Sequence, residues 1–196
     1  MRGPFARDPP SLYSPPTMLQ AHAHDWPWKG KPIVLIGLMG AGKTTVGRRL
    51  AQRMRLPFVD ADHEIEAAAG MTISDIFEKF GEPYFRDGER RVIARLIDGT
   101  PKVIATGGGA FLNEETRGLI LDQAIAIWLD AEPAVLADRV RRRDTRPLLR
   151  GRDPEDILTE LAAIRNPFYA LAPIRVQSIA APHDATVDEI LKAIRT

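Results

Sequence analysis

The sequence contains no cysteine, which excludes disulfide bonds, thiol catalysis and cysteine-ligated zinc or iron–sulfur sites. It also lacks an excess of charge of one sign, since 27 Lys and Arg residues stand against 26 Asp and Glu residues. That balance argues against a nucleic-acid partner, because general nucleic-acid binders carry a basic surplus. No apolar run reaches the roughly 20 residues that cross a bilayer, so no membrane partner is expected. Together with the missing targeting segment, these absences predict a cytoplasmic protein.

Proline is unevenly distributed, and seven of the 16 prolines fall within the first 32 residues. The stretch 1–31 shows neither helical nor strand periodicity, which predicts a Pro-rich, mostly disordered tail. It has no apolar centre of a secretory signal, and its prolines oppose the amphipathic helix of a mitochondrial presequence. Residues 32–196 are enough for one domain.

Short apolar runs alternate with helix-period segments from residue 32 onward. The runs predicted as strands are Ile33–Ile36, Leu56–Val59, Lys102–Ala105, Ala124–Leu129 and Ile174–Ser178. The predicted helices cover 44–55, 62–69, 73–80, 83–98, 133–143, 155–170 and a last segment with Val187, Ile190, Leu191 and Ile194 on one face. This alternation predicts an α/β fold, with βαβ units and a parallel sheet covered by helices on both sides.

The strongest motif is Gly37-Leu-Met-Gly-Ala-Gly42-Lys43-Thr44, which matches the phosphate-loop pattern G-x-x-x-x-G-K-[ST]. Glycines let the backbone curl around phosphate oxygens with its N–H groups pointing inward, and the following helix adds its positive end. Lys43 is predicted to reach the β- and γ-phosphates, and the Thr44 hydroxyl to bind Mg²⁺. A chance glycine-rich turn would lack the strand before it and the helix after it.

A phosphate loop predicts nucleotide binding but leaves the reaction open. Regulatory GTPases need an Asn-Lys-x-Asp guanine reader and an Asp-x-x-Gly switch, and neither string occurs in this chain. A motor or transport ATPase would be larger. A small phosphotransferase with its own acceptor pocket fits the length best.

Candidate acceptor groups follow the second and third predicted strands. Asp60 and Asp62 stand at a strand end, where two carboxylates can divide metal and hydroxyl binding, although a plain helix cap explains them equally well. Arg86 is a planar fork suited to a carboxylate, with a surface salt bridge as its alternative. The glycines 107–109 allow a ligand to approach the backbone directly. The alternative is a tight turn without a ligand, but such a turn would not need three consecutive glycines.

A basic run over 139–146 ends at Arg146-Pro147, where the proline breaks the helix. Most basic runs are solvated helix faces. This one stands where a mobile lid would bring an arginine onto a transferring phosphate. Arg165, in Arg165-Asn-Pro-Phe-Tyr169, is a second candidate fork for a carboxylate.

Taken together, these segments resemble the shikimate kinase family over about residues 33–195. The phosphate loop alone is generic, but the D-x-D, FR, GGG and RPLL strings in this order and spacing are specific. The segments that carry the resemblance are Gly37–Ala51, Asp60–Glu66, Ile73–Glu89, Gly107–Ala110, Arg146–Leu149 and Arg165–Tyr169.

The resemblance implies a three-layer α/β/α P-loop kinase core with a five-stranded parallel sheet ordered 2-3-1-4-5. It also implies a substrate-binding segment near 60–98 and a lid near 141–154. The implied reaction moves the γ-phosphate of ATP to the 3-hydroxyl of shikimate, in the chorismate branch of aromatic amino-acid biosynthesis. The implied partners are ATP and shikimate, the cofactor is Mg²⁺, and the protein is expected to be a monomer.

The family's functional residues map onto this chain by its matching motifs. The residues implied for ATP binding are Gly40, Ala41, Gly42, Lys43, Thr44, Thr45, Arg139, Arg146 and Pro182. Thr44 would ligate Mg²⁺, with Asp60 holding it through water. The residues implied for shikimate binding are Asp62, Arg86, Gly107, Gly108, Gly109 and Arg165. The catalytic set would be Lys43, Asp62 and Arg146, with Asp62 as the orienter of the hydroxyl first and as a base second.

Two departures from the family pattern concern the adenine. The loop after the fifth strand, Ser178-Ile-Ala-Ala-Pro182-His183, has no arginine or glutamine for the base, which leaves backbone or Pro182 packing. Arg139, Arg142 and Arg143 all compete for the stacking position, and Arg139 is preferred.

Other functions on the same scaffold remain open at this stage. A gluconate-type kinase would also need carboxylate and hydroxyl contacts, although the FR and RPLL strings fit it less well. A nucleotide kinase would need a base pocket that the acceptor side does not clearly offer. A non-catalytic ATP-binding module would be expected to have lost Lys43, Thr44 or Asp62, and all three are intact.

Overall fold

The computed structural model describes residues 30–141, 152–178 and 183–195. Three predicted features lie outside these residues: all but the last two positions of the tail over 1–31, the lid with Arg146, and Pro182.

Five parallel strands form a single sheet. They are β1 (Ile33–Ile36), β2 (Phe58–Asp60), β3 (Val103–Ala105), β4 (Ile125–Asp130) and β5 (Ile174–Gln177). Their order is β2-β3-β1-β4-β5, and every neighbouring pair is parallel. The predicted order is therefore confirmed, and the strand bounds differ from the predicted ones by two residues at most.

Seven described helices pack on this sheet, together with one 3-10 turn at Ala110–Leu112. They are α1 (Lys43–Met54), α2 (Ala61–Ala69), α3 (Ile73–Leu96), α4 (Glu114–Gln123), α5 (Pro133–Arg141), α6 (Pro154–Tyr169) and α7 (His183–Arg195). None of these helices combines the length and the apolarity that a membrane crossing requires.

The core lies between the sheet and the apolar faces of these helices. All four residues of β1 are buried, as a continuous apolar run in the middle of a two-sided parallel sheet requires. On α1, Val46 and Leu50 are fully buried, and Val187 and Ile190 are fully buried on α7. The helical periodicity of the sequence thus marks the faces that the sheet covers.

One helix agrees with the prediction in detail and another was missed. In α3 the predicted segments 73–80 and 83–98 are separated by a kink, because Gly81 has φ 79° and ψ 172°, which are not helical angles. Helix α4 was not predicted, because only Thr116 and Ile120 of its residues are buried and no apolar stripe marks it. The available signal was the cap, since the Asn113 side chain accepts a hydrogen bond from the Thr116 N–H.

An ion pair between the buried Lys102 and the exposed Asp98 lies at the amino end of β3, on the side of the sheet opposite to the sequence motifs. Lys102 is 1% exposed, and its Nζ lies 2.7 Å from both carboxylate oxygens of Asp98 and 3.1 Å from the Leu96 carbonyl oxygen. Burial raises the pKa of Asp98, but hydrogen bonds from Lys102 and Thr100 outweigh it and hold the pKa below its ordinary value. The lysine charge is therefore compensated where it is buried.

Replacing Gly47 by alanine is expected to destabilise the protein. A β-carbon at Gly47 in α1 would lie 2.6 Å from Phe58 Cε2 and 3.2 Å from Leu35 Cδ1, so the helix would have to move away from β1 and β2. We expect Gly47→Ala to lower the free energy of unfolding by about 1–3 kcal/mol, as overpacked cores do. Urea denaturation measures this change.

Gly118→Ala in α4 is the matched control, because a β-carbon there meets nothing within 4 Å. We expect this variant to be more stable by about 0.5–1 kcal/mol, since alanine restricts the unfolded chain and favours the helix. Equal effects of the two substitutions would contradict the close packing of α1 on the sheet.

Candidate active site

The phosphate loop connects β1 to α1 and is held in a conformation that needs glycine. Gly37, Gly40 and Gly42 have φ angles of 136°, 82° and 92°. A β-carbon at Gly37 would also lie only 2.5 Å from the Leu129 carbonyl oxygen of β4. The glycines of the motif thus allow both the tight curl and the close approach of the neighbouring strand.

The amino end of α1 is left without a side-chain cap. Gly42 stands at its N-cap position, and no acidic residue lies in its first turn. By contrast, side-chain oxygens cap α2, α3, α4 and α6. A helix start with uncapped N–H groups is suited to an anion, and Thr45 is half-buried in this first turn. Lys43 Nζ donates to the Gly37 and Leu38 carbonyl oxygens at 2.7 and 2.9 Å, so its ammonium lies within the loop.

Asp60, the last residue of β2, links the phosphate loop to the acceptor side. Its Oδ2 accepts a hydrogen bond from Thr44 Oγ1 at 2.8 Å, and its Oδ1 accepts one from the Asp62 N–H at 3.2 Å. Asp60 is therefore the N-cap of α2, as the alternative interpretation held, and it also contacts the threonine of the motif. One carboxylate serves both purposes.

Thr44 and Asp60 form a donor set that fits Mg²⁺. Both offer oxygen, the ligand atom that this cation prefers, and few protein ligands are needed because nucleotide phosphates and waters complete the octahedron. The described residues contain no group of three or more His, Cys, Asp and Glu side chains placed around one metal position.

The glycine triplet 107–109 follows β3 and brings the acceptor residues together. A β-carbon on Gly107 would lie 2.9 Å from Asp62 Oδ1, and one on Gly109 would lie 2.5 Å from Nη1 of Arg86. A β-carbon on Gly108 would lie 3.2 Å from Nη1 of Arg165 and 3.5 Å from the Gly37 carbonyl oxygen. The three glycines are therefore surrounded by both arginines, the aspartate and the phosphate loop.

Arg86 is held by two glutamates of its own helix, α3. Its Nη1 lies 2.8 Å from Glu89 Oε2, and its Nη2 lies 2.9 Å from Glu82 Oε1. Burial lowers the pKa of Arg86, but the two carboxylates outweigh it and raise the pKa above its ordinary value. The salt-bridge alternative for Arg86 is thus present in the structure, beside the predicted acceptor residues rather than on an outer surface.

Glu89 lies among the predicted site residues, although no role was assigned to it from the sequence. It is 3% exposed, and a β-carbon on Gly107 would lie 3.0 Å from its Oε1, which has no hydrogen-bond partner among the described residues. Burial raises the pKa of Glu89 above its ordinary value, against the lowering effect of Arg86. Its spacing of three residues from Arg86 on a predicted helix was the available signal.

Tyr169 also lies among the predicted site residues, and no role was assigned to it from the sequence. Its hydroxyl donates a hydrogen bond to the Gly108 carbonyl oxygen. Burial raises the pKa of Tyr169 to about 12, against the lowering effect of the charge of Arg165. The spacing of four residues between Arg165 and Tyr169 puts both on one face of α6.

Arg139 lies against the phosphate loop from the other side. Its Nη1 donates to the Gly40 carbonyl oxygen at 3.3 Å and to Ser178 Oγ at 3.0 Å, and burial lowers its pKa. Ser178, which is 1% exposed and was not singled out from the sequence, donates to the Ala41 carbonyl oxygen at 3.0 Å. Arg139 therefore adjoins the nucleotide-binding motif. Its competitors Arg142 and Arg143, and the lid residue Arg146, lie outside the described residues.

Comparison with known proteins agrees with this geometry. The family model described as shikimate kinase matches residues 39–195. A shikimate kinase of Caulobacter vibrioides is 59% identical over 169 residues, which cover 86% of this chain and 84% of that protein. The chain belongs to the shikimate kinase family. A family member from Zymomonas mobilis is 53% identical over 177 residues, covering 90% of this chain and 99% of that one.

A solved structure supports the same assignment to the shikimate kinases. Shikimate kinase from Acinetobacter baumannii in complex with shikimate has a TM-score of 0.78 and 39% identity, covering 84% of this chain and 92% of that chain. The expected fold and the expected enzyme class, a phosphotransferase of the shikimate pathway, are confirmed. A gluconokinase from Sinorhizobium meliloti, with a TM-score of 0.55 and 20% identity, shares the fold alone.

Replacing Gly109 by alanine is expected to displace Arg86. Gly109 has φ −98° and ψ −16°, which alanine adopts without strain, but the new β-carbon would lie 2.5 and 2.7 Å from the two terminal nitrogens of Arg86. We expect the KM for the acceptor substrate to rise roughly 10- to 100-fold, because charge-assisted hydrogen bonds from Arg86 are lost. The KM for ATP should change little. Steady-state kinetics with each substrate varied measures both constants.

Gly118→Ala again serves as the control, since it adds the same methyl group far from any neighbour. An unchanged acceptor KM in Gly109→Ala would contradict the close approach of Arg86 to the glycine triplet.

Proposed function

We propose that this protein transfers the γ-phosphate of ATP to the 3-hydroxyl of shikimate in a reaction that requires Mg²⁺. The observation that carries the proposal is the convergence of Arg86 and Arg165 on a bare glycine loop next to the phosphate loop. A β-carbon on Gly108 would lie 3.2 Å from an Arg165 nitrogen and 3.5 Å from the carbonyl oxygen that begins the motif. An acceptor anchored by these arginines would therefore adjoin the ATP phosphates.

The chemistry of shikimate is complementary to these groups. The molecule has one carboxylate and three hydroxyls. Arg86 and Arg165 offer guanidinium forks for the carboxylate, and their planar geometry favours paired hydrogen bonds. Asp62 and the backbone of Gly107–Gly109 are left for the hydroxyls. The triplet has no side chain to fill the space that the ring needs.

Asp62 acts on the hydroxyl that receives the phosphate. Its backbone N–H is fixed by Asp60, and its carboxylate oxygen adjoins Gly107. We assign it the orientation of the hydroxyl first and proton acceptance second. Phosphoryl transfer passes through a loose transition state, so that positioning contributes more than early proton removal.

The charge on the transferring phosphate is neutralised by cations of this chain. Lys43 lies in the phosphate loop already, and the N–H groups of 40–45 surround the phosphates with it. Arg146 of the proposed lid would close over them, and Arg139 and Pro182 would contact the adenine. Thr44 and Asp60 would hold Mg²⁺, which neutralises phosphate charge and orients the β- and γ-phosphates.

Two further expectations stay predictions, namely a cytoplasmic location and a monomeric state. The domain division into a tail over 1–31 and a kinase domain over 32–196 is likewise proposed. The rival acceptors are gluconate and a nucleotide, and the rival without catalysis is an ATP-binding module.

The activity itself is tested by ADP release from MgATP with and without shikimate, and with gluconate and AMP in parallel. We expect ADP release to rise steeply only with shikimate. Release that is equally slow with every acceptor, while ATP still binds, would favour the non-catalytic module. Release stimulated by gluconate or AMP instead would favour one of the rival kinases.

Replacing Asp62 by asparagine tests its role separately from binding. Asparagine keeps the size and loses the charge, so we expect kcat to fall by about 10²- to 10⁴-fold while the affinity for ATP stays near the wild-type value. Asp122→Asn, an exposed position on α4, makes the same chemical change away from the site and should leave kcat unchanged. A kcat in Asp62→Asn within about twofold of wild type would remove Asp62 from the mechanism.

A further inference from the structure

Tyr169 is the last residue of α6, and its phenol hydroxyl is buried in the protein. The residue is 1% exposed, and its ring packs against Trp128 of β4 with centroids 6.0 Å apart. A buried phenol hydroxyl must find partners inside the protein, because an unmet hydrogen bond there is costly.

The hydroxyl lies between two groups of the proposed shikimate site. The phenol donates to the Gly108 carbonyl oxygen, 61 residues away in the chain. Arg165, one helical turn earlier, acts on the same phenol through its charge, and its Nη1 would lie 3.2 Å from a β-carbon on Gly108. The hydroxyl thus links the backbone of the glycine triplet to the helical turn that carries a proposed carboxylate-binding arginine.

We propose that Tyr169 is a positioning residue for acceptor binding, which holds Arg165 and the Gly108–Gly109 peptide in their shikimate-binding arrangement. The inference rests on the proposed function and extends it to a residue that touches neither substrate. It accounts for a tyrosine, rather than a phenylalanine, at a position whose ring is otherwise packed among apolar groups.

The effect on the loop follows from peptide geometry. In a trans peptide the C=O of one residue and the N–H of the next point in opposite directions. Because Tyr169 holds the Gly108 carbonyl, the N–H of Gly109 points away from Tyr169. A free carbonyl would allow this glycine peptide to rotate, since glycine restrains it little.

The hydroxyl also keeps its proton well above neutral pH. Burial raises the pKa of Tyr169 to about 12, so the phenol remains a donor toward the Gly108 carbonyl at neutral and moderately alkaline pH. The hydrogen bond from Tyr169 to the Gly108 carbonyl is therefore kept across this pH range and does not act as a pH switch.

The test is Tyr169→Phe, which removes one oxygen and keeps the ring against Trp128. We expect the Kd and the KM for shikimate to rise about tenfold, because the buried hydrogen bond to the Gly108 carbonyl is lost. We expect kcat and the KM for ATP to stay within about twofold of wild type, because the phosphate loop is not touched. Calorimetric titration with shikimate and steady-state kinetics measure these constants, and thermal unfolding by circular dichroism checks that the fold is kept.

Thr159→Val is the control. It removes a hydroxyl from an exposed position on the same helix, α6, and it should leave all of these constants unchanged. A double-mutant cycle with Arg165→Lys gives a readout that a merely structural role would not move. If Tyr169 acts through Arg165, the Phe substitution costs clearly less than tenfold in the Lys background.

The outcomes separate this inference from the proposed function. Wild-type protein that does not bind shikimate overturns both. Wild-type binding together with an unchanged shikimate Kd in Tyr169→Phe overturns the role of Tyr169 alone. Parallel losses for shikimate and ATP, additive with Arg165→Lys, would also overturn it, because they would indicate general damage to the fold.

Discussion

The two halves of the site depend on the carboxylate of Asp60. One oxygen accepts from the Thr44 hydroxyl at the start of α1, and the other caps α2 through the Asp62 N–H. Because β2 ends at this residue and α2 begins at the next, a single short side chain sets the distance between the phosphate loop and the proposed acceptor carboxylate. The parallel sheet places the loops after β1, β2 and β3 close together, since it brings the carboxyl ends of these strands to one edge.

In the proposed acceptor site, the charge of Arg86 is already paired with carboxylates in the protein without a ligand. Arg86 is paired with Glu82 and with the buried Glu89, so its fork is already oriented when a carboxylate approaches. Such preorganisation lowers the entropy lost on binding. A buried carboxylate also costs desolvation, and the raised pKa of Glu89 expresses that cost. The site thus combines strong cations for the ligand with acids that hold them in place.

The sequence predicted those parts of the molecule that local pattern determines. The apolar run of β1, the periodic face of α7 and the phosphate loop are each complete within a few consecutive residues, and the family resemblance supplied the sheet order. Helix α4 lacked an apolar stripe, so periodicity missed it. The contacts of Glu89, Tyr169 and Ser178 join distant segments, which a pattern of neighbours along the chain does not contain.

The two ends of the sheet differ in their roles, since one stabilises the fold and the other carries the proposed site. At the amino end, the buried Lys102 contacts Asp98 and the Leu96 carbonyl, in interactions that stabilise the chain and face no proposed ligand. At the carboxyl end, the glycines 107–109 leave room for a ligand, and Glu89 Oε1 has no hydrogen-bond partner among the described residues. Inherited substitutions should therefore divide by position. Changes near Lys102 would reduce the amount of folded enzyme in a cell while each molecule works normally, whereas changes near Gly107 would leave the amount intact and impair every molecule.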